Sequence, residues 1–192
     1  MNTLRHAFKE WAIICRALAE GRQTLLVRKG GIAESGGEFR VEHTRFWLYP
    51  TYVHQQKDGI TPEMVPLLEQ IEAERPPQGI VRLAHFVEVA GIYHVHDLDV
   101  AWRLAGLHGW SRETVQARFE YRQPGLYVLP VRVYRSPQVF ELSETADYAG
   151  CRSWVELDRD LPTEGATPVL NEEAFDDVLR TLDRLLEPTA WA

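Results

Sequence analysis

Cysteine is scarce in this chain. It has two, Cys15 and Cys151, far apart and in no CxxC or similar spacing. That argues against a disulfide framework or a zinc knuckle and leaves both as expected small, buried hydrophobes. No stretch approaches the roughly 18–20 consecutive apolar residues of a membrane-spanning helix. The opening MNTLRHAFKEWAIICRAL lacks a separate basic region, apolar block and small-residue cleavage site. The expected location is therefore the cytoplasm, with no membrane partner. Internal repeats and low-complexity tracts are missing. So are the phosphate-binding spacings GxxxxGK followed by Ser or Thr, and GxGxxG, so no nucleotide fingerprint or cofactor is indicated.

What is present suffices for a core. Across 192 residues, 45% are hydrophobic and 26% charged, which reads as a single domain over residues 1–192. The formal charge of −7 is unevenly placed: residues 141–192 hold 13 Asp and Glu against 4 Arg, leaving +2 for the first 140. Whole-chain acidity is thus a poor guide to a ligand. Between Arg22 and Arg45, five Arg or Lys face three Glu, a mild positive bias suited to phosphate or to an ordinary mixed surface.

Apolar positions Leu4, Phe8, Trp11, Ile14, Cys15 and Leu18 recur at helical steps, predicting an amphipathic helix over Leu4–Glu20 stopped by Gly21. Thr24–Val27 reads as a short strand entering a Gly30-Gly31 turn, and Arg45–Tyr49 as a strand closed by Pro50. Thr61-Pro62 starts a helix with Val65, Leu68 and Ile71 buried, which Pro66 would kink. Ile80–His96 is sheet, bent at Gly91. Asp97, Ser111 and Asn171 are N-caps. Leu126–Arg135 is a strong strand whose Pro130 points to an edge or a bulge, and Val139–Leu142 extends the sheet. An acidic helix over 171–187, with Phe175, Val178 and Leu182 on its buried stripe, packs on the rest. Clustered strands with irregularly spaced helices predict α+β, a curved and mostly antiparallel sheet or a bent barrel with flanking helices.

The richest polar constellation is Arg28–Gln55. Gly30, Gly31 and the Gly36-Gly37 pair can turn backbone N–H groups toward an anion, with Arg28 and Lys29 adding charge and Tyr49, Thr51, His54 and Gln55 nearby. The competing reading is a hairpin with glycine turns and solvated charges. Glu34, Glu42, His43 and His54 are candidates for acid–base chemistry, though no Ser/His/Asp or Cys/His spacing is readable. His94 and His96 share a strand face beside Asp97 and Asp99, but without a third spaced ligand no metal is expected. Trp47, Tyr49, Tyr52, Trp102, Trp110 and Tyr121 are base-stacking surfaces if exposed and core if not.

The blocks AFKEWAIICRALAEGRQTLLVRKGGIAE, LYPTYVHQ, YVLPVRVYRSPQVFEL and YAGCRSWVEL resemble the bacterial family catalogued as domain of unknown function 1802, over nearly the whole chain. That resemblance implies a fold and no reaction. The order of elements also resembles the ASCH and PUA-like group of small barrels: Gly21-Arg22-Gln23-Thr24 leads into Leu25–Arg28, followed by Val89–Val95, the Trp110-Ser111 helix and Tyr127–Arg135. This second resemblance implies a PUA-like β-barrel and handling of RNA or modified nucleosides. Gln23 stands where that group usually has the lysine that is catalytic in its amidohydrolase members, a departure that counts against the same chemistry here. The expected partners are RNA, single-stranded DNA or a nucleotide. The alternatives are a hydrolase or nuclease acting through Glu34, Glu42 and His54, and a protein-interaction module using the acidic C-terminal part.

Overall fold

The computed structural model describes residues 2–29, 41–148 and 152–186. The chain opens as strand β1 (Thr3–Trp11), passes directly into helix α1 (Ala12–Ala19) and continues as strand β2 (Leu25–Arg28). The single helix expected over Leu4–Glu20 is thus a strand followed by a helix. Leu4 and Phe8 satisfy a four-residue helical step and a two-residue alternation equally well. The strand prevails because β1 is paired on both edges, parallel to β3 (Arg45–Thr51) and antiparallel to β7 (Trp154–Pro162). Helix α1 is apolar almost all round, with Arg16 as its one position not fully buried. It stops at Gly21, whose φ is +67° and where a Cβ would come within 2.8 Å of the Leu170 side chain.

Strand β3 continues through Pro50 to Thr51 instead of ending at the proline. The missing N–H is tolerated because this part of β3 is paired on one side only. Helix α2 (Val65–Ala73) has Pro66 in its first turn, so the proline starts the helix and does not kink it. Strands β4 (Ile80–Val89) and β5 (Tyr93–Val95) are separated at Gly91 as expected. All three foreseen caps form. Asp97 accepts from the Asp99 N–H ahead of α3 (Leu98–Arg103), Ser111 from Thr114 ahead of α4 (Arg112–Glu120), and Asn171 from Ala174 ahead of α5 (Glu172–Leu185).

The two strands expected at 126–135 and 139–142 are one, β6 (Leu126–Ser143), and it is central. Pro130 is therefore not at an edge. Its carbonyl accepts from Ala90 N–H at 2.9 Å while Val131 N–H turns the other way to Thr24. The missing N–H thus faces the gap where β4 gives way to β5, and no ladder bond is lost. With β8 (Thr167–Pro168), the order is β2-β6-β4-β3-β1-β7, with β5 and β8 both on β6. The sheet is mixed, antiparallel except for β1 against β3. Among the described residues its ends, β2 and β7, do not pair with each other. The result is an open α+β sheet instead of the closed barrel.

Both faces of the sheet are covered, because alternate residues of each strand enter different clusters. Phe8, Phe46, Leu48 and Val87 join α1, α2, α4 and the end of α5 in the larger cluster. Ala7, Trp47, Tyr49 and Phe86 build a smaller one with Leu142, Tyr148 and Val155. Among the described residues no helix is long and apolar enough to cross a membrane.

Candidate functional site

Strands β3 and β4 pair over three residues only, Arg45–Trp47 against Phe86–Glu88. Beyond Trp47, β3 stays with β1, while Ile80–Leu83 of β4 pairs with the far end of β6. The sheet therefore splits between Leu48–Thr51 and Ile80–Leu83. A cleft of about 610 Å³ opens at the split, bounded by the ends of β1, β2 and β3, by Arg75–Gly79 and by Arg152-Ser153.

Five of the residues singled out in the sequence meet here: Arg28, Tyr49, Thr51, Tyr52 and His54. Arg28, at the end of β2, sits 4.6 Å over the Phe8 ring, pairs with Glu10 at 3.1 Å and donates to Ser153 Oγ at 2.8 Å. Glu10 is 2% exposed, and its other carboxylate oxygen accepts from the Trp11 N–H. The guanidinium is thus a structural counter-ion that also faces the cleft, with its Nε left without a hydrogen-bond partner among the described residues. Tyr49 donates to Glu144 at 2.9 Å; burial, then that hydrogen bond and charge, push its phenol well above the usual range, so it stays protonated. Thr51 donates to the Glu10 carbonyl at 3.1 Å. His54 is exposed at the lip with φ +67°, a left-handed backbone uncommon for a residue with a Cβ.

Other expected site residues lie elsewhere. Lys29 caps the C-terminal end of α4, donating to the carbonyls of Phe119, Gln123 and Gly125. Burial there lowers its pKa. Gln55 accepts from Ile13 N–H in the first turn of α1 and donates to Glu72. Glu42 is exposed away from the cleft, and His43 stacks on His6 at 3.6 Å. Gly30, Gly31 and Glu34, with Gly36, Gly37 and Cys151, lie outside the described residues. Gln23 is buried, bridging the Leu25 carbonyl and the Gly109 N–H, which ties the start of β2 to the turn before α4. His94 stacks on Tyr127 at 4.2 Å and meets the tilted His96 ring at 3.8 Å. Among the described residues no group of three His, Cys, Asp or Glu is placed to hold a metal ion. Of the aromatic candidates, Trp47, Tyr49 and Trp110 are core, Tyr49 reaching the wall of the cleft only at its edge, while the half-buried Tyr52 lines it.

Several cleft residues escape a reading of the sequence. Lys9 lay in the segment read as helix; it sits 5.7 Å over the Tyr49 ring and donates to the Tyr148 carbonyl. Arg75 precedes the Pro76-Pro77 break and stacks on Tyr52 at 4.8 Å. Arg152 belongs to the YAGCRSWVEL block, the one signal that could have drawn attention to it. Among the described residues, Lys9, Arg28, Arg75 and Arg152 line the cleft with a single carboxylate, Glu144, while Arg28 is already paired with Glu10 behind it. With the half-buried Trp11 and Tyr52, the arrangement offers cations and aromatic side chains in one concavity.

The sequence pattern of the family described as Domain of unknown function (DUF1802) matches residues 7–181. No curated protein matches the chain. Among solved structures, the ASCH protein of Zymomonas mobilis overlays with TM-score 0.42 at 14% identity, covering 95% of this chain and 95% of its own. Two of its point mutants give TM-scores of 0.45 and 0.42 at 14% and 15% identity. Each covers 95% of this chain, and 98% and 96% of its own.

Proposed function

The chain belongs to the DUF1802 family, and from its cleft we propose that the protein binds a single-stranded nucleic acid or a nucleotide at the split between β3 and β4. The observation that carries this reading is the lining itself: among the described residues, four cations, of which Arg28 is already paired with Glu10, against one lining carboxylate, beside the half-buried Trp11 and Tyr52. Arginine and lysine recognise phosphate by charge-assisted hydrogen bonds, and aromatic faces accept bases without regard to sequence. The cleft also lies in the size range of single-ligand sites. Net charge does not oppose this, because attraction is set by the local field of a cleft. A hydrolytic reading draws on His54 at the lip and on Glu144, the one lining carboxylate among the described residues. It needs a bound substrate first.

The test is fluorescence anisotropy with labelled single-stranded RNA and DNA. Affinity is expected to fall steeply between about 50 and about 200 mM salt. The Arg75→Ala, Arg152→Ala double variant is expected to bind more weakly on every sequence, with the salt slope reduced by about one to two. Absence of binding to RNA, single-stranded DNA and mononucleotide at low salt overturns the proposal.

A further inference from the structure

A second cleft, of about 650 Å³, abuts the first and shares Pro50, Tyr52, Pro76 and Val81 with it. Successive residues of β3 divide between them: Tyr49 and Thr51 line the first, Leu48 only the second, and Pro50 both. Since alternate side chains of a strand leave on opposite faces, the two concavities lie on either face of the split and meet at its open end. Neither is closed off from the other by a strand pair, because no ladder joins Leu48–Thr51 to Ile80–Leu83.

We propose that the two clefts form one groove for an extended single-stranded nucleic acid, the chain crossing the Pro50–Tyr52–Pro76 ridge from the first cleft into the second. This rests on the reading of the first cleft as a nucleic-acid site. Three features of the second cleft point to such an occupant. Arg135 lies exposed on β6 with no acidic partner among the described residues, whereas Arg16 is committed to Glu74 and Glu20, and Arg82 to Glu141. The floor is apolar, with Ala12, Leu48 and Ile71 suited to the face of a base. Finally, three large hydrophobic side chains are strongly exposed among the described residues, and two border these clefts: Val53, 62% exposed, at the first and Val139, 58% exposed, at the second. His85, opposite Arg135 across the β4–β6 ladder, is held neutral by burial, its pKa pushed down to about 4. It therefore adds no charge, and the anion's contact falls to Arg135. On the ridge, Arg75 over Tyr52 offers a cation where the linking phosphate would pass.

The groove differs from a mononucleotide pocket in its dependence on length. Binding of UMP, and of oligouridylates and oligothymidylates of about 4 and about 8 nucleotides, is compared by calorimetry and anisotropy. The longer chains are expected to bind at least about tenfold more tightly than UMP. In the Arg135→Ala, Val139→Ser variant most of that gain disappears while UMP affinity is unchanged; in Arg152→Ala both fall. Either sugar showing the length step supports the groove. Equal affinity for UMP and the longer chains, or a length step that survives Arg135→Ala, Val139→Ser, overturns the groove and leaves the first cleft standing. If UMP and every oligomer fail to bind a protein that melts normally, the reading of the first cleft fails and the groove with it.

Discussion

The two halves of the β3–β4 contact are built from similar residues to opposite ends. Where the strands pair, every group finds a neighbour. Trp47 packs edge-on to Phe86 at 5.4 Å, Phe86 stacks on Tyr134 at 5.0 Å, Arg45 pairs with Glu88 at 2.8 Å, and Tyr134 donates to that same carboxylate. Where the strands part, cations outnumber carboxylates among the described lining residues and Val53 stands in solvent. The paired half completes its interactions within the chain. The split half satisfies Arg28, Tyr49 and Thr51 from neighbouring strands and still keeps Arg75 and Arg152 at an open cleft, and that difference is the basis of the proposed site.

Truncating the paired half should have the largest effect on the fold. Trp47→Ala removes a side chain with no exposed surface and is expected to lower unfolding free energy by about 3–5 kcal/mol in a urea titration. Arg28 sits at the boundary. Arg28→Ala leaves Glu10 buried without its counter-ion, and we expect a loss of about 3 kcal/mol, at the low end for a buried pair because the Arg28 side chain keeps 17% exposure. Ligand affinity should fall as well, so Arg28 alone cannot separate fold from function.

The third effect depends on pH. His85 and His108 are both pushed by burial from 6.5 to about 4. The folded state then holds their protons less readily than the unfolded chain. The stability this confers is complete above about pH 6.5 and is lost as pH falls toward 4. Replacing His85 with Gln should remove about 1–2 kcal/mol of the acid-side decline, allowing for its partial exposure, as read from urea midpoints of both proteins across that range. The smallest effect on stability belongs to the split. Arg75→Ala with Arg152→Ala should stay within about 0.5 kcal/mol of the parent while binding weakens.

The helix caps were legible because capping is local. Asp97, Ser111 and Asn171 each reach an N–H two or three residues away. The bend at Gly91 and the strand after Thr24 were legible for the same reason. The parallel pairing of β1 with β3 was not, since it joins Ala7 to Trp47 and its apolar pattern fits a helix as well as a strand. The site followed suit. Residues 49–54 advertised themselves by composition, but Glu10 beneath Arg28, Glu144 on Tyr49 and the approach of Arg152 come from segments that only the folded sheet brings together. Lys29 and Arg28, adjacent in sequence, point to different ends of the molecule's chemistry: one caps a helix, the other pairs with a buried acid at the cleft.

The most direct test is a titration of the isotopically labelled protein with single-stranded oligouridylate at low salt, following backbone amide shifts. Binding at the split predicts the largest changes at Leu48, Tyr49 and Thr51, at Ile80–Leu83 and at Arg75. Arg45–Trp47 and Phe86–Glu88 should remain nearly still. Shifts centred instead on α5 or on the paired half, with the split unmoved, would contradict the account.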